Sequence, residues 1–66
     1  MENHIKRERK KMNLTQEDLA NIIGVSRQTI NAIETNKYNP SVLLALKLSS
    51  VFSLTVNELF IIEKKD

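Results

Sequence analysis

Thr15-Gln16-Glu17-Asp18-Leu19-Ala20-Asn21-Ile22-Ile23-Gly24-Val25-Ser26-Arg27-Gln28-Thr29-Ile30-Asn31-Ala32-Ile33-Glu34-Thr35 is the stretch that decides how this chain folds. Thr15 is a good helix N-cap, and Asp18 stands three residues on, where a capping box more often has glutamate or glutamine. Glu17 and Asp18 suit the positive end of a helix dipole. Leu19, Ile22 and Ile23 follow at i, i+3 and i+4, so the spacing predicts an amphipathic helix over about 16–23 with those three facing inward. Gly24 ends it, because the residue past a helix end often adopts the left-handed conformation that glycine takes without steric cost. Val25 dips inward, and Ser26 caps a second helix two residues later. That helix spans about 27–35, with Ile30 and Ile33 inward and Arg27, Gln28, Thr29 and Asn31 on the opposite side. The turn Ile23-Gly24-Val25-Ser26 is too tight for the two helices to lie antiparallel. They must cross steeply, which leaves the second one along one face of the body.

On the N-terminal side, a helix is expected over about 3–11, with Ile5 and Met12 as core contacts. Glu8, at i+3 from Ile5, thins its inward face. On the C-terminal side, Asn36 can take a left-handed exit at low cost. Pro40 is acceptable at a first helical position, so a fourth helix runs from about Pro40–Ser41 to Phe52. Thr55 and Glu58 frame a capping box for a short fifth helix. The two neighbouring isoleucines in Phe60-Ile61-Ile62 favour extended chain. One glycine, one proline and no internal repeat leave little room for linkers or a turn-rich sheet. The fold class expected is all-α: one five-helix domain over 1–66 with a short extended C-terminal segment.

At 66 residues the chain is one domain, and at that size it buries only about 60% of the surface its unfolded form exposes. No cysteine is present to supplement that core, which fits a reducing cytoplasm and excludes thiolate metal sites and cysteine nucleophiles. No apolar run approaches the roughly 18 residues of a membrane span, and the charged start does not read as a signal peptide. The net charge of +2 permits a nucleic-acid partner without demanding one. Lys6, Arg7, Arg9, Lys10 and Lys11 cluster near the start, either as a solvated helix face or for phosphate steering.

The second helix of the central pair offers a guanidinium, two carboxamides and a hydroxyl from Arg27, Gln28, Asn31 and Thr29, with no acidic side chain before Glu34. A helix about 10–12 Å across fits the major groove of B-form DNA, where arginine pairs with guanine and glutamine or asparagine with adenine. Each residue alone also reads as ordinary polar surface, and Ser26 is chiefly a cap. The ordered set, with turn glycine and caps in register, is far more specific.

Leu14-Thr15-Gln16-Glu17-Asp18-Leu19-Ala20, Gly24-Val25-Ser26-Arg27-Gln28-Thr29-Ile30, Ile33-Glu34 and Asn39-Pro40-Ser41 together resemble the Xre/Cro-type helix-turn-helix DNA-binding regulators. The resemblance covers nearly the whole chain and is strongest to stand-alone, single-domain repressors such as that of a bacterial cytolysin operon. It implies a lambda-repressor-like domain with the third helix as recognition helix. It places Arg27, Gln28, Thr29 and Asn31 on bases, and Gln16, Asn36, Lys37, Tyr38 and Asn39 on the DNA backbone. It also implies an ion pair, Arg9 with Glu34, tying the first helix to the end of the third. Two departures stand out: Glu8 where relatives commonly have an apolar residue, and Asn36 where glycine is frequent.

The fourth helix is apolar around too much of its circumference for a small monomer, and Val56, Phe60 and Ile62 add to the excess. A homodimer interface built from Val56, Phe60 and Ile62 follows. The alternative is that Phe60 and Ile62 fold back as core, with the tail pairing along the N-terminal residues. A dimer would read half-sites about 34 Å apart in a near-palindromic operator on double-stranded DNA. Sequence-specific transcriptional regulation, with repression ahead of activation, is the function expected, in the cytoplasm. An antitoxin-like module binding a partner protein as well as DNA is the rival. RNA binding is disfavoured because Tyr38 is the one plausible stacking aromatic. No base–nucleophile pair or ligand cluster can be assembled, so no catalytic residue, metal, cofactor, small-molecule ligand or membrane partner is expected. His4 reads as plain surface.

Overall fold

Five helices form in the expected order, and two short strands join the ends of the chain, in the computed structural model, which describes residues 1–62. The elements are β1 (Glu2–Asn3), α1 (Ile5–Lys11), α2 (Gln16–Ile23), α3 (Arg27–Glu34), α4 (Val42–Phe52), α5 (Val56–Leu59) and β2 (Phe60–Ile61). The helix boundaries follow from local chemistry. Thr15, Ser26, Ser41 and Thr55 each accept a hydrogen bond from the backbone N–H three residues on, which satisfies one of the donors a helix start leaves open. Two of these caps are full boxes: the Thr15 N–H donates to Asp18 Oδ2 at 2.9 Å and the Thr55 N–H to Glu58 Oε1 at 2.8 Å.

Aspartate therefore serves in the first box despite its shorter reach. The Thr15 backbone N–H, with a smaller contribution from its hydroxyl, holds the Asp18 carboxyl below its ordinary value. A carboxylate stabilised this way adds stability that is fully present above its unfolded pKa of about 3.9 and is lost as the pH falls through the lower folded value. Asp18→Asn is expected to lower the melting temperature near neutral pH. The gap to the unmutated protein should close as the pH drops below the carboxylate range. Thermal melts across that range check it, and a gap independent of pH would remove the charge from the account.

The helix exits lean on left-handed residues. Gly24 has φ 78°, and Asn13, Asn36 and Ser53 have φ 57°, 62° and 54°. With one glycine available, asparagine and serine take the remaining exits, where their short polar side chains lessen the steric cost. At the end of α3 the Lys37 N–H donates to the Ala32 carbonyl at 2.8 Å and the Asn36 N–H to the Ile33 carbonyl at 3.1 Å. That is a Schellman closure built on asparagine. Lys47 reaches from α4 to the last carbonyl of α2, with Nζ 3.3 Å from the Ile23 oxygen.

The core comprises Ile5, Leu19, Ala20, Ile23, Ile30, Ile33, Leu48, Phe52, Leu59 and Phe60, with Val25, Leu44, Ala45, Val51, Leu54 and Val56 packed against it. Several expectations are corrected here. Residue 3 is in a strand, not a helix: β1 pairs antiparallel with β2 in the register Glu2↔Ile61 and Asn3↔Phe60. Met12 is exposed because α1 has already ended and the chain reverses through Asn13. Ile22 is exposed as well, Ala20 occupying the inward position. The fourth helix begins one residue past Ser41, so Pro40 precedes the cap instead of opening the helix. The third helix ends at Glu34, one residue short of the expected Thr35, which is its cap.

Phe60 is the largest correction. It is 8% exposed and belongs to the core, leaving only an edge at the surface. The strand pairing that seats it is the alternative left open by the sequence, with the tail lying along the N-terminal residues. Among the described residues no helix is long and apolar enough to cross a membrane.

Candidate nucleic-acid interface

α3 turns Ile30 and Ile33 into the core, so Arg27, Gln28 and Asn31 at its far side are exposed. Thr29 is half-buried, its Oγ1 2.9 Å from Ser26 Oγ, which makes it part of the cap before anything else. Among the described residues of α3, no carboxylate competes on this face. Glu34, the first acidic residue along α3, turns inward to Arg9, with Arg9 Nε donating to Glu34 Oε2 at 2.7 Å and Nη2 to Oε1 at 3.2 Å. The two side chains are only 9% and 2% exposed, and Arg9 Nη1 also donates to the Leu14 carbonyl at 2.8 Å. The implied tie between α1 and the end of α3 is therefore present.

Glu8 does not loosen α1. Its carboxylate lies along the helix edge, 3.0 Å from Arg7 Nε and 3.3 Å from Lys11 Nζ, while Ile5 and Arg9 seat the helix. Partial desolvation pushes the Glu8 carboxyl up, but bonds and charge from Arg7 and Lys11 outweigh it and the net direction is down. The N-terminal basic cluster thus resolves into a buried partner for Glu34, two partners for Glu8, and the exposed Lys6 and Lys10.

Gln16, at the first position of α2, sits beside α3. Its Nε2 donates to Glu34 Oε1 at 3.0 Å and to Asn31 Oδ1 at 3.2 Å. Both amide hydrogens are engaged within the protein, so a phosphate at this point would meet the Gln16 backbone N–H at the helix start. The loop of Asn36, Lys37, Tyr38 and Asn39 is exposed and continues from the end of α3. Its entry is clamped by Asn3, a residue whose role the sequence does not reveal. Asn3 Nδ2 donates to the Ile33 carbonyl at 2.8 Å and to Asn36 Oδ1 at 3.0 Å, while its Oδ1 accepts from the Ile5 N–H at 3.1 Å. Its partners on α3 and the loop lie 30 and 33 residues away, so no local pattern signals it.

Two helices crossing at a tight glycine turn, the second with its polar side outward, are the geometry of a helix-turn-helix. A model of the family described as helix-turn-helix, of the Xre/lambda-repressor type, matches residues 5–59. The chain belongs to this family. Its relatives include an uncharacterized HTH-type transcriptional regulator of Methanocaldococcus jannaschii, 52% identical over 63 residues covering 96% of each chain. Another, from Archaeoglobus fulgidus, is 44% identical over 66 residues, covering 100% of this chain and 93% of its own. An HTH-type regulator of Bacillus subtilis is 41% identical over 66 residues and the whole of both chains. The helix-turn-helix protein described here is a DNA-binding transcriptional regulator, and α3 is the second helix of its helix-turn-helix pair.

Proposed function

We propose that this regulator represses transcription by binding a near-palindromic operator as a homodimer, with one α3 entering the major groove at each half-site. The observation that carries this is the outward face of α3, where Arg27, Gln28 and Asn31 are exposed over an apolar inner side and no carboxylate intervenes. Those groups match the donor and acceptor patterns of base edges in the major groove. Asn36, Lys37, Tyr38, Asn39 and the start of α2 flank that face and hold the sugar-phosphate backbone, fixing register without reading sequence. Repression by occlusion requires only occupancy. Catalysis has no part in the proposal, and the site of action is the cytoplasm.

The dimer rests on the apolar surface around β2. Ile62 is 81% exposed, Ile61 is also exposed, and Val56 is half-buried. With Asn57 and the edge of Phe60, the two isoleucines line an open groove of about 270 Å³. A second copy seated there would cover this surface and add stability by mass action. It would also supply the second recognition helix that a two-fold operator needs.

Selection from random duplex DNA at moderate salt tests the reading. The enriched pool should hold two inverted half-sites about one helical turn, roughly 34 Å, apart. No enrichment over background would end it. On the selected operator, Arg27→Ala and Gln28→Ala should each weaken binding by about 1–3 kcal/mol and relax preference at one base pair. Equal losses on operator and random DNA, measured by titration, would take these two residues off the bases.

A further inference from the structure

We infer that Asn3 is a positioning residue for DNA binding, turning the Asn36 carboxamide so that its NH2 is presented to a backbone phosphate. This rests on the proposal that the loop after α3 holds the sugar-phosphate backbone.

The strand pairing sets where Asn3 points. In the antiparallel register Asn3 stands opposite Phe60, and paired residues share a face of a two-stranded sheet. Phe60 is buried, so Asn3 also turns toward the body, where it is half-buried against the exit of α3.

Three bonds then fix its carboxamide. The Ile33 carbonyl can only accept, so the end of Asn3 that lies 2.8 Å from it is the NH2. The other end accepts from the Ile5 N–H at 3.1 Å, which requires the oxygen and gives the same orientation. The Asn3 nitrogen also lies 3.0 Å from the Asn36 carboxamide, where its second hydrogen meets Oδ1. Asn36 is exposed and held left-handed at φ 62°. With its oxygen turned to Asn3, its NH2 lies on the far side of the carboxamide.

A phosphate oxygen carries lone pairs and no proton, so it bonds a donor and repels a carbonyl. The spare lone pair of Asn36 Oδ1 has no use at the DNA backbone, whereas the two N–H groups do. A freely turning carboxamide would meet the phosphate with either end. Asn3 removes the wrong one before DNA arrives.

The test is a cycle of Asn3→Ser, Asn36→Gly and the double variant, titrated with the selected operator and with a mixed-sequence duplex, each protein confirmed as folded by circular dichroism. The serine hydroxyl can still accept from the Ile5 N–H but is too short to reach Ile33 and Asn36. Glycine keeps the left-handed exit without steric cost and offers no carboxamide to orient. Asn3→Ser should weaken binding to both duplexes by about tenfold, as loss of a hydrogen bond to a charged group does. Asn36→Gly should do the same, and adding Asn3→Ser to it should change the affinity no further. If Asn3 only braces the end of α3, Asn3→Ser weakens the unmutated and the Asn36→Gly proteins equally, and that result overturns the inference. So does an unchanged affinity in Asn3→Ser, or a loss confined to the operator, which would put the effect on bases. Where a variant does not fold, side-chain amide NMR of the unmutated protein decides. The Asn3 NH2 should exchange slowly with solvent, and the Asn36 NH2 signals should shift on saturation with the mixed-sequence duplex. Fast exchange at Asn3 or unmoved Asn36 signals, in a protein that binds the duplex, sink the positioning role alone. Absence of binding to any duplex sinks the operator reading with it.

Discussion

Glu34→Ala is expected to remove more than half of the chain's folding stability. Native domains hold roughly 0.05–0.15 kcal/mol per residue, about 3–10 kcal/mol for a chain of this length. Removing one partner of a buried ion pair costs about 3–5 kcal/mol, because the other charge is left without compensation in a low-dielectric site. Arg9 would keep only its bond to the Leu14 carbonyl, and Gln16 would lose the acceptor that orients it. The urea midpoint by far-UV circular dichroism should fall by more than half. Arg9→Met combined with Glu34→Leu should recover most of the loss, since an apolar pair of similar volume often replaces a buried ion pair without cost. If Glu34→Ala alone unfolds at the same urea concentration as the unmutated protein, the pair contributes nothing and its burial is misassigned.

Phe60→Ala should destabilise the protein by about 3 kcal/mol, while Ile62→Asp leaves the fold intact and dissociates the proposed dimer. Truncating a core phenylalanine costs about 3–5 kcal/mol, and Phe60 sits at the core's margin where neighbours can relax. Ile62 is exposed within one subunit and contributes little to that subunit's stability. In the proposed dimer its side chain is covered, and an aspartate there would be buried without a partner. Chemical denaturation and analytical ultracentrifugation separate the two effects. A Phe60→Ala protein of unchanged stability would place that ring outside the core. A dimer persisting in Ile62→Asp would move the interface away from β2.

The helical framework was legible because its signals are local. A cap and its acceptor are three residues apart at Thr15, Ser26 and Thr55, and an inward stripe such as Ile30 and Ile33 repeats within one turn. The Arg9–Glu34 pair spans 25 residues and was named through family resemblance alone. Errors fell where the chain could satisfy the same local rule in two ways. Met12 and Ile22 have the spacing of core residues, yet a left-handed exit at Asn13 and the inward turn of Ala20 put both in solvent. Glu8 read as a flaw in α1 until Arg7 and Lys11 were seen to bracket it.

By itself, the sequence determined the five helices, their caps, the glycine turn and the polar content of α3, since these depend on interactions within a few residues of chain. Tertiary structure alone decided three things: that Phe60 is interior, that Asn3 clamps the exit of α3, and that Gln16 bonds both Asn31 and Glu34. Each joins residues 15 to 57 positions apart, where side-chain type states what can bond but only the packed backbone brings the partners together.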